Sequence, residues 1–524
     1  MSVGNIFLVV LIILSSQLQD PRDIKGKQFI NESIQRGWAQ LEALVRTKDN
    51  SIAVFNSLNW ARSGIVETDL PDGSTLVDSL TGGEIPVEIL YKGKGISLPG
   101  FGPGSVRVRF VAAGVPAVGY KLFTIKPIAK EQDASSDIRG NTFGNILENQ
   151  FYRVTLDPSS GSIASVFDKQ LGRELADSSS PYKFGQYLYV TGGDSYPENS
   201  LYRFGARLKP PTFTVHAANS GTLISVKKTA IGMVATLGSS APNTPSIQTE
   251  ILLLDSVKEM LITYHLHKDR VLTRESAYVA FPFVVPTPTF TYGSQTAWVN
   301  PAKDELAGGS REWYLPTTWT SVYNPQVAAT VVPIDAPLVA FGDIVRGEWP
   351  TEFDPKTSTI FSWLMNNYWG TNFPAWQGGD FTFRYAITSS AQFNPPSLTR
   401  FGLEALTPLE RDDLQGTQNS SLLPTQAASL LEVGNPDVTL LTWKRAEDGD
   451  GTIIRLQETA GKQSDVKIQS SSLRVERAWR CNLLEDNETE VAIQGEDISF
   501  PIKPFQVLTL RLHTAPRIPP GGAK

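Results

Sequence analysis

The sequence predicts a mainly β protein: a short N-terminal helical remnant, a small β-sandwich, a large β-supersandwich and a C-terminal β-sandwich. Three observations carry that expectation. The 524 residues include 42 glycines and 35 prolines, and the segments between them are short and rich in Val, Thr and aromatics. Such segments read as many strands joined by turns. Residues 148–177 form the clearest unit, a strand, a tight turn, a second strand and a second turn. Phe151, Arg153 and Thr155 alternate there with Tyr152, Val154 and Leu156, the period of a half-buried strand. Only one amphipathic helix stands out, with Ile30, Ile34, Trp38, Leu41 and Val45 on one face.

In chain order, residues 1–47 hold an apolar segment and that helix, which looks like the last helix of a bundle. Strand signals begin near Ser51. Val106, Val108 and Phe110 alternate with Arg107 and Arg109, and Tyr120–Ile125 is a further strand. Residues 48–128 are therefore read as the small sandwich. The polar stretch 129–140 reads as a linker. Residues 141–395 show many strand signals and no convincing helix, which suits a large sandwich. In its hairpin, Asp157-Pro-Ser-Ser-Gly161 is turn chemistry: Pro presets one dihedral and Gly supplies positive φ. Residues 396–514 are read as a linker, or extended crossover, and a last sandwich. Its strands are Val438–Trp443, Thr452–Gln457 and Val507–Leu512. The Pro/Gly-rich tail 515–524 is expected to be disordered.

Net charge is −6, so the basic footprint of a nucleic-acid binder is absent. Cys481 is the only cysteine, which excludes an internal disulfide and a Cys-based zinc site. Asn31, Asn419 and Asn487 open N-glycosylation patterns that matter only in a secreted chain. The apolar run Ile6–Leu14 is too short to span a bilayer, which needs about 20 residues. If residues 1–19 act as a signal peptide, the protein is secreted or periplasmic. No Lys or Arg precedes the run, and a buried helix start is the other reading.

There is no nucleophile elbow, phosphate loop or dinucleotide fingerprint. Gly100-Phe-Gly102-Pro-Gly104 precedes a strand and reads as a loop. His265 and His267 lie two apart on one strand face, with Asp269 continuing it, a donor set of zinc type. The competing reading is an ordinary polar sheet face, because Met260, Ile262, Tyr264 and Leu266 make the opposite, apolar one. Asp304, Glu305, Glu312 and Asp380 sit among aromatics, but no carboxylate pair can be assigned from spacing. Seven of the eleven tryptophans fall between 298 and 376. They serve either sugar stacking or the core of a large sandwich.

Several segments, in order, resemble the C-terminal half of glycoside hydrolase family 38, the retaining α-mannosidases. They are Phe55-Asn-Ser-Leu-Asn-Trp60 with Arg62-Ser-Gly64 and Glu67; Val115-Pro-Ala-Val-Gly-Tyr120; and Glu148 to Asp177, with Phe167-Asp-Lys169 and Gly172-Arg-Glu174. Phe281-Pro-Phe283, Asp304-Glu-Leu with Ser310-Arg-Glu-Trp-Tyr314, and Met365 to Asn372 through Phe383-Arg-Tyr385 follow. Lys444 to Gly449, Arg455 to Glu458 and Lys503-Pro-Phe505 complete the set. The resemblance implies that the large sandwich is galactose-mutarotase-like.

It also implies a carbohydrate ligand, an α-mannoside. Tyr187, in Phe184-Gly-Gln-Tyr187-Leu-Tyr189, matches a tyrosine that reaches from the sandwich into the family's sugar pocket, although the flanking residues differ. An ordinary strand aromatic is the other reading. Arg311 is a weaker sugar- or interface-facing candidate. The family's zinc and nucleophile belong to a domain upstream of the helix bundle, so no cofactor is assigned to this chain, and no catalytic or metal residue. The expectation is a mannosidase region inactive alone. The alternatives are a non-catalytic carbohydrate-binding protein and a structural half that pairs with a separately encoded catalytic chain.

Overall fold

The computed structural model describes residues 24–92, 104–128, 144–192, 212–345, 350–367, 376–417, 421, 423–495 and 497–516. The apolar run, the glycine-rich loop, the 129–140 linker, Trp349, Trp369 and Asn419 lie outside them. The described residues form β strands throughout, with two helices. They divide into two compact units: residues 1–134 with 406–524, and residues 135–405.

The first unit starts with helix Ile24–Leu44. Trp38 and Leu41, and Val45 just beyond, are buried at 4 % exposure or less. The helix therefore finds its partner in the β core, where the Trp38 ring meets Phe55 edge-on at 6.4 Å. The sandwich beneath it has a three-stranded sheet, Arg62–Pro71, Ser105–Val115 and Val87–Lys92, and a six-stranded one built on Ser51–Asn56 and Gly119–Pro127. In Ser105–Val115 the alternation is as expected. Val106, Val108 and Phe110 are buried. Arg109 lies opposite Glu67 and Arg107 opposite Asp69, with ion pairs of 3.0 and 3.3 Å. Oppositely charged cross-strand neighbours stabilise a sheet modestly.

Two elements of the six-stranded sheet come from the far end of the chain. Glu410–Leu414 pairs with Ser51–Asn56, and Ala427–Ser429 pairs with Gly119–Pro127. The stretch read as a linker is thus partly sheet, and the small sandwich is not confined to 48–128. The C-terminal sandwich pairs a four-stranded and a five-stranded sheet. Its core residues, among them Trp443, Ile454 and Leu510, form one cluster with Trp38, Phe55 and Tyr120. The final strand, Val507–Pro516, takes in two residues assigned to the tail.

The second unit is the supersandwich. Its sheets have nine strands (Asn219–Lys228 at one edge, Trp298–Val299 at the other), five strands and four strands. The hairpin Tyr152–Asp157/Ser162–Asp168 is the central pair of the four-stranded sheet, with Val154 opposite Val166 and Leu156 opposite Ile163. Gly161 closes its turn at φ +65°, and a Cβ there would lie 2.6 Å from Ser239. Both requirements demand glycine. The second helix, Pro395–Leu406, was not expected. Its start is nonetheless written in Asn394-Pro-Pro-Ser: the Asn394 carboxamide oxygen accepts from the Ser397 amide, and Pro395 takes the first helical position. No described helix is long and apolar enough to cross a membrane.

Candidate functional site

Tyr187 lies on strand Gln186–Gly192, second in the five-stranded sheet. Both faces of that strand are covered. Tyr187 and Tyr189 enter the main core, while Leu188 and Val190 enter a second cluster with Tyr278 and Trp363. Tyr187 is 2 % exposed, and its hydroxyl sits 2.9 Å from the Thr244 hydroxyl. Burial pushes its pKa well up. The Tyr187 side chain therefore lies inside the core of the large sandwich and not on an open surface. The residue before it, Gln186, borders an open concavity of about 570 Å³ instead, with Ser159, Ser160 and Ala217–Gly221. Gln186 is itself engaged: its carboxamide donates to the Ala218 carbonyl and accepts from the Lys183 amide.

The most concentrated polar arrangement lies nearby. Strand Met260–Lys268 alternates inward Met260, Ile262, Tyr264 and Leu266, and the same period sends Lys268 inward. Its ammonium is 1 % exposed and pairs with both Glu275 oxygens, at 2.8 and 3.0 Å. The Tyr189 hydroxyl donates to Glu275 at 2.5 Å and accepts from the Asn243 amide at 2.6 Å. Asn367 accepts from the Glu275 amide at 2.6 Å, and Lys268 also donates to the Asp269 carbonyl. A buried charge pair is tolerable only when its remaining valences are met this way. The sequence signal for the network was Lys268 itself, a charge at an inward position of an alternating strand. The network reaches the surface at exposed Asn243 and Asp269, which join through an amide–carbonyl bond of 2.8 Å. Beside them the Arg270 guanidinium lies 4.1 Å over the ring of Trp376, a cation–π contact.

On the opposite face of the same strand stand His265 and His267. The ring Nδ1 of His267 bonds Asp380 at 2.7 Å and that of His265 bonds Thr382 at 3.0 Å. Asp269 lies past the end of the strand. Among the described residues no three His, Cys, Asp or Glu side chains converge as a metal-binding group. A catalytic zinc takes three protein ligands, so this donor set does not fit one.

Arg311 folds back on its own loop. Its side chain is 8 % exposed, it lies 3.6 Å from Glu305, and it donates to the Leu306 carbonyl. Glu305 in turn accepts from Tyr292 at 2.6 Å. Arg311 thus braces the loop that carries Glu305 and Leu306. Asp304 accepts from the Asn300 amide and Asp380 is held by His267, so these carboxylates serve local bonds. Trp319 is fully buried and Trp363 stacks on Tyr278 at 5.5 Å, both in core roles. Trp376 is the half-buried member beside Arg270.

Comparison with known proteins adds the following. Residues 437–510 match the family described as glycosyl hydrolases family 38 C-terminal beta sandwich domain. Two solved structures from Enterococcus faecalis are similar. An alpha-mannosidase from V583 gives a TM-score of 0.66 at 14 % identity, over 93 % of this chain and 59 % of that one. A protein in the glycosyl hydrolase family 38 gives 0.66 at 13 %, over 94 % and 63 %. The chain thus spans less than two thirds of either, and at these identities the likeness concerns fold. No curated protein matches it in sequence. Residues 437–510 are therefore similar to the family 38 C-terminal β-sandwich domain, and they lie in a chain whose described fold resembles these two solved structures.

Proposed function

We propose that the chain is the sandwich-bearing region of a family 38 α-mannosidase and serves hydrolysis of α-mannosides within a larger enzyme. One observation carries this: the family domain at 437–510 lies in a chain whose fold matches the mannosidase structure over 93 % of its length and only 59 % of that structure's. The reacting groups are then supplied by residues other than these. Retaining hydrolysis uses two carboxylates about 5–5.5 Å apart. In the large sandwich Asp304, Glu305 and Asp380, singled out from the sequence, are bonded to local partners instead. The zinc that the family resemblance implies is likewise read as held elsewhere.

The test is an assay of the purified chain with an aryl α-mannoside, with and without added zinc. No turnover is expected. Robust turnover that survives replacement of all four histidines overturns the proposal. Calorimetric heat with mannobiosides but no turnover favours a non-catalytic carbohydrate-binding role.

A further inference from the structure

The outer face of Met260–Lys268 holds a second arrangement, unconnected with mannoside chemistry. His265 and His267 are two residues apart on one strand, so their side chains leave the same face, with Cα atoms about 6.7 Å apart. The neighbouring strand, Gly379–Ser390, runs in a register that sets His265 opposite Thr382 and His267 opposite Asp380. Each imidazole turns its Nδ1 onto that cross-strand partner, at 3.0 and 2.7 Å. A carboxylate only accepts, so Asp380 keeps the His267 proton on Nδ1 and leaves the Nε2 lone pair facing outward. The Thr382 hydroxyl does the same for His265 when it accepts. Both histidines are exposed.

We propose that His265 and His267 together bind one divalent transition cation, zinc, copper or nickel, through their two Nε2 atoms, with water completing the shell. Imidazole donors select these ions over magnesium and calcium. A carboxylate or hydroxyl behind each ring is the arrangement that orients metal-binding histidines and raises their basicity. Both rings stand in solvent, so they can lean toward each other to share an ion. Two protein ligands make the site open and exchangeable, distinct from a three-ligand catalytic centre. The remaining histidines differ. His216 packs its ring near Tyr189, and His513 directs Nε2 to Asp450 at 3.2 Å.

Titration of zinc chloride into the full chain by calorimetry tests the site. One ion is expected to bind. His267→Ala is expected to weaken binding at least tenfold. Asp380→Ala, which keeps both ligands, is expected to weaken it about tenfold through lost orientation. The pair His216→Ala and His513→Ala is expected to leave affinity within twofold. With copper, electron paramagnetic resonance is expected to show two nitrogen donors, falling to one in His265→Ala. No heat at millimolar zinc, or unchanged stoichiometry and affinity in the His265→Ala/His267→Ala double variant, overturns the proposal.

Discussion

Asp168 sits inside Phe167-Asp-Lys169 and is fully buried. Its carboxylate accepts from the Gln170 and Leu171 amides, from the Ser389 hydroxyl at 2.6 Å, and from Lys258 at 2.8 Å. Other motif residues work alike. The Asn56 side chain joins Leu58, Trp60, Arg62 and Pro116. Glu174 gathers the Val166, Leu175 and Ala176 amides. Glu458 gathers those of Ala460, Gly461 and Phe505. The recognisable letters of this sequence are thus hydrogen-bond hubs that fix turns, which is why they signal a fold more directly than a reaction. Asp168→Ala strips three donors and an ammonium of their partner. Urea unfolding of the second unit is expected to show a loss of about 3 kcal/mol; a loss under 1 kcal/mol would show that the hub is dispensable. Tyr187 illustrates the opposite limit. Its place in a strand could be read from alternation, but its orientation depends on a second apolar cluster behind the sheet, assembled from residues as far away in sequence as Trp363.

Among elements, legibility followed side-chain pattern. The hairpin at 152–168 was readable because Tyr152, Val154 and Leu156 alternate with less buried residues and the return strand brings Ile163 and Val166 opposite Leu156 and Val154. Glu410–Leu414 was not: Glu-Arg-Asp-Asp-Leu has one buried residue, and its pairing with Ser51–Asn56 rests on backbone bonds. Helix Pro395–Leu406 went unseen because its buried face is small, with Pro396, Leu398 and Gly402. That helix carries Glu404, whose charge adds to the burial that raises the Glu259 carboxyl to about 7. A carboxyl raised on folding favours the native state fully below its unfolded pKa, near 4.5, and loses that contribution as pH climbs through 7. Glu259 is half-buried, so the effect is discounted. Glu259→Gln is expected to stabilise the protein by about 1–2 kcal/mol at pH 8 and not at pH 4. Thermal melts at the two pH values check this; parallel curves for parent and variant would remove the assignment.

For the whole molecule, the number and kind of sandwiches were legible, but their chain membership was not. Local periodicity cannot reveal that a sheet begun at residue 51 takes an edge from residue 410. Residues 135–405 form a unit of their own, and 1–134 share theirs with 406–524. Residues 135–405 produced alone are expected to melt in one cooperative transition. A chain ending at residue 405 is expected to keep that transition while residues 1–134 lose protection from hydrogen exchange. Full protection of residues 51–56 in the shortened chain would contradict the shared unit.

The return of Glu410–Leu414 to the strand at Ser51–Asn56 also bears on how the protein is made. The ribosome emits the first sandwich's opening strand some 360 residues before its partner. At about 5–20 residues per second that is a wait on the order of tens of seconds. Throughout it, an apolar half-core and an open sheet edge await their complement, while the intervening unit has time to fold as a finished insert. The strand at Ser51–Asn56 is made long before its sheet is completed, and needs shielding from stray strand pairing until then.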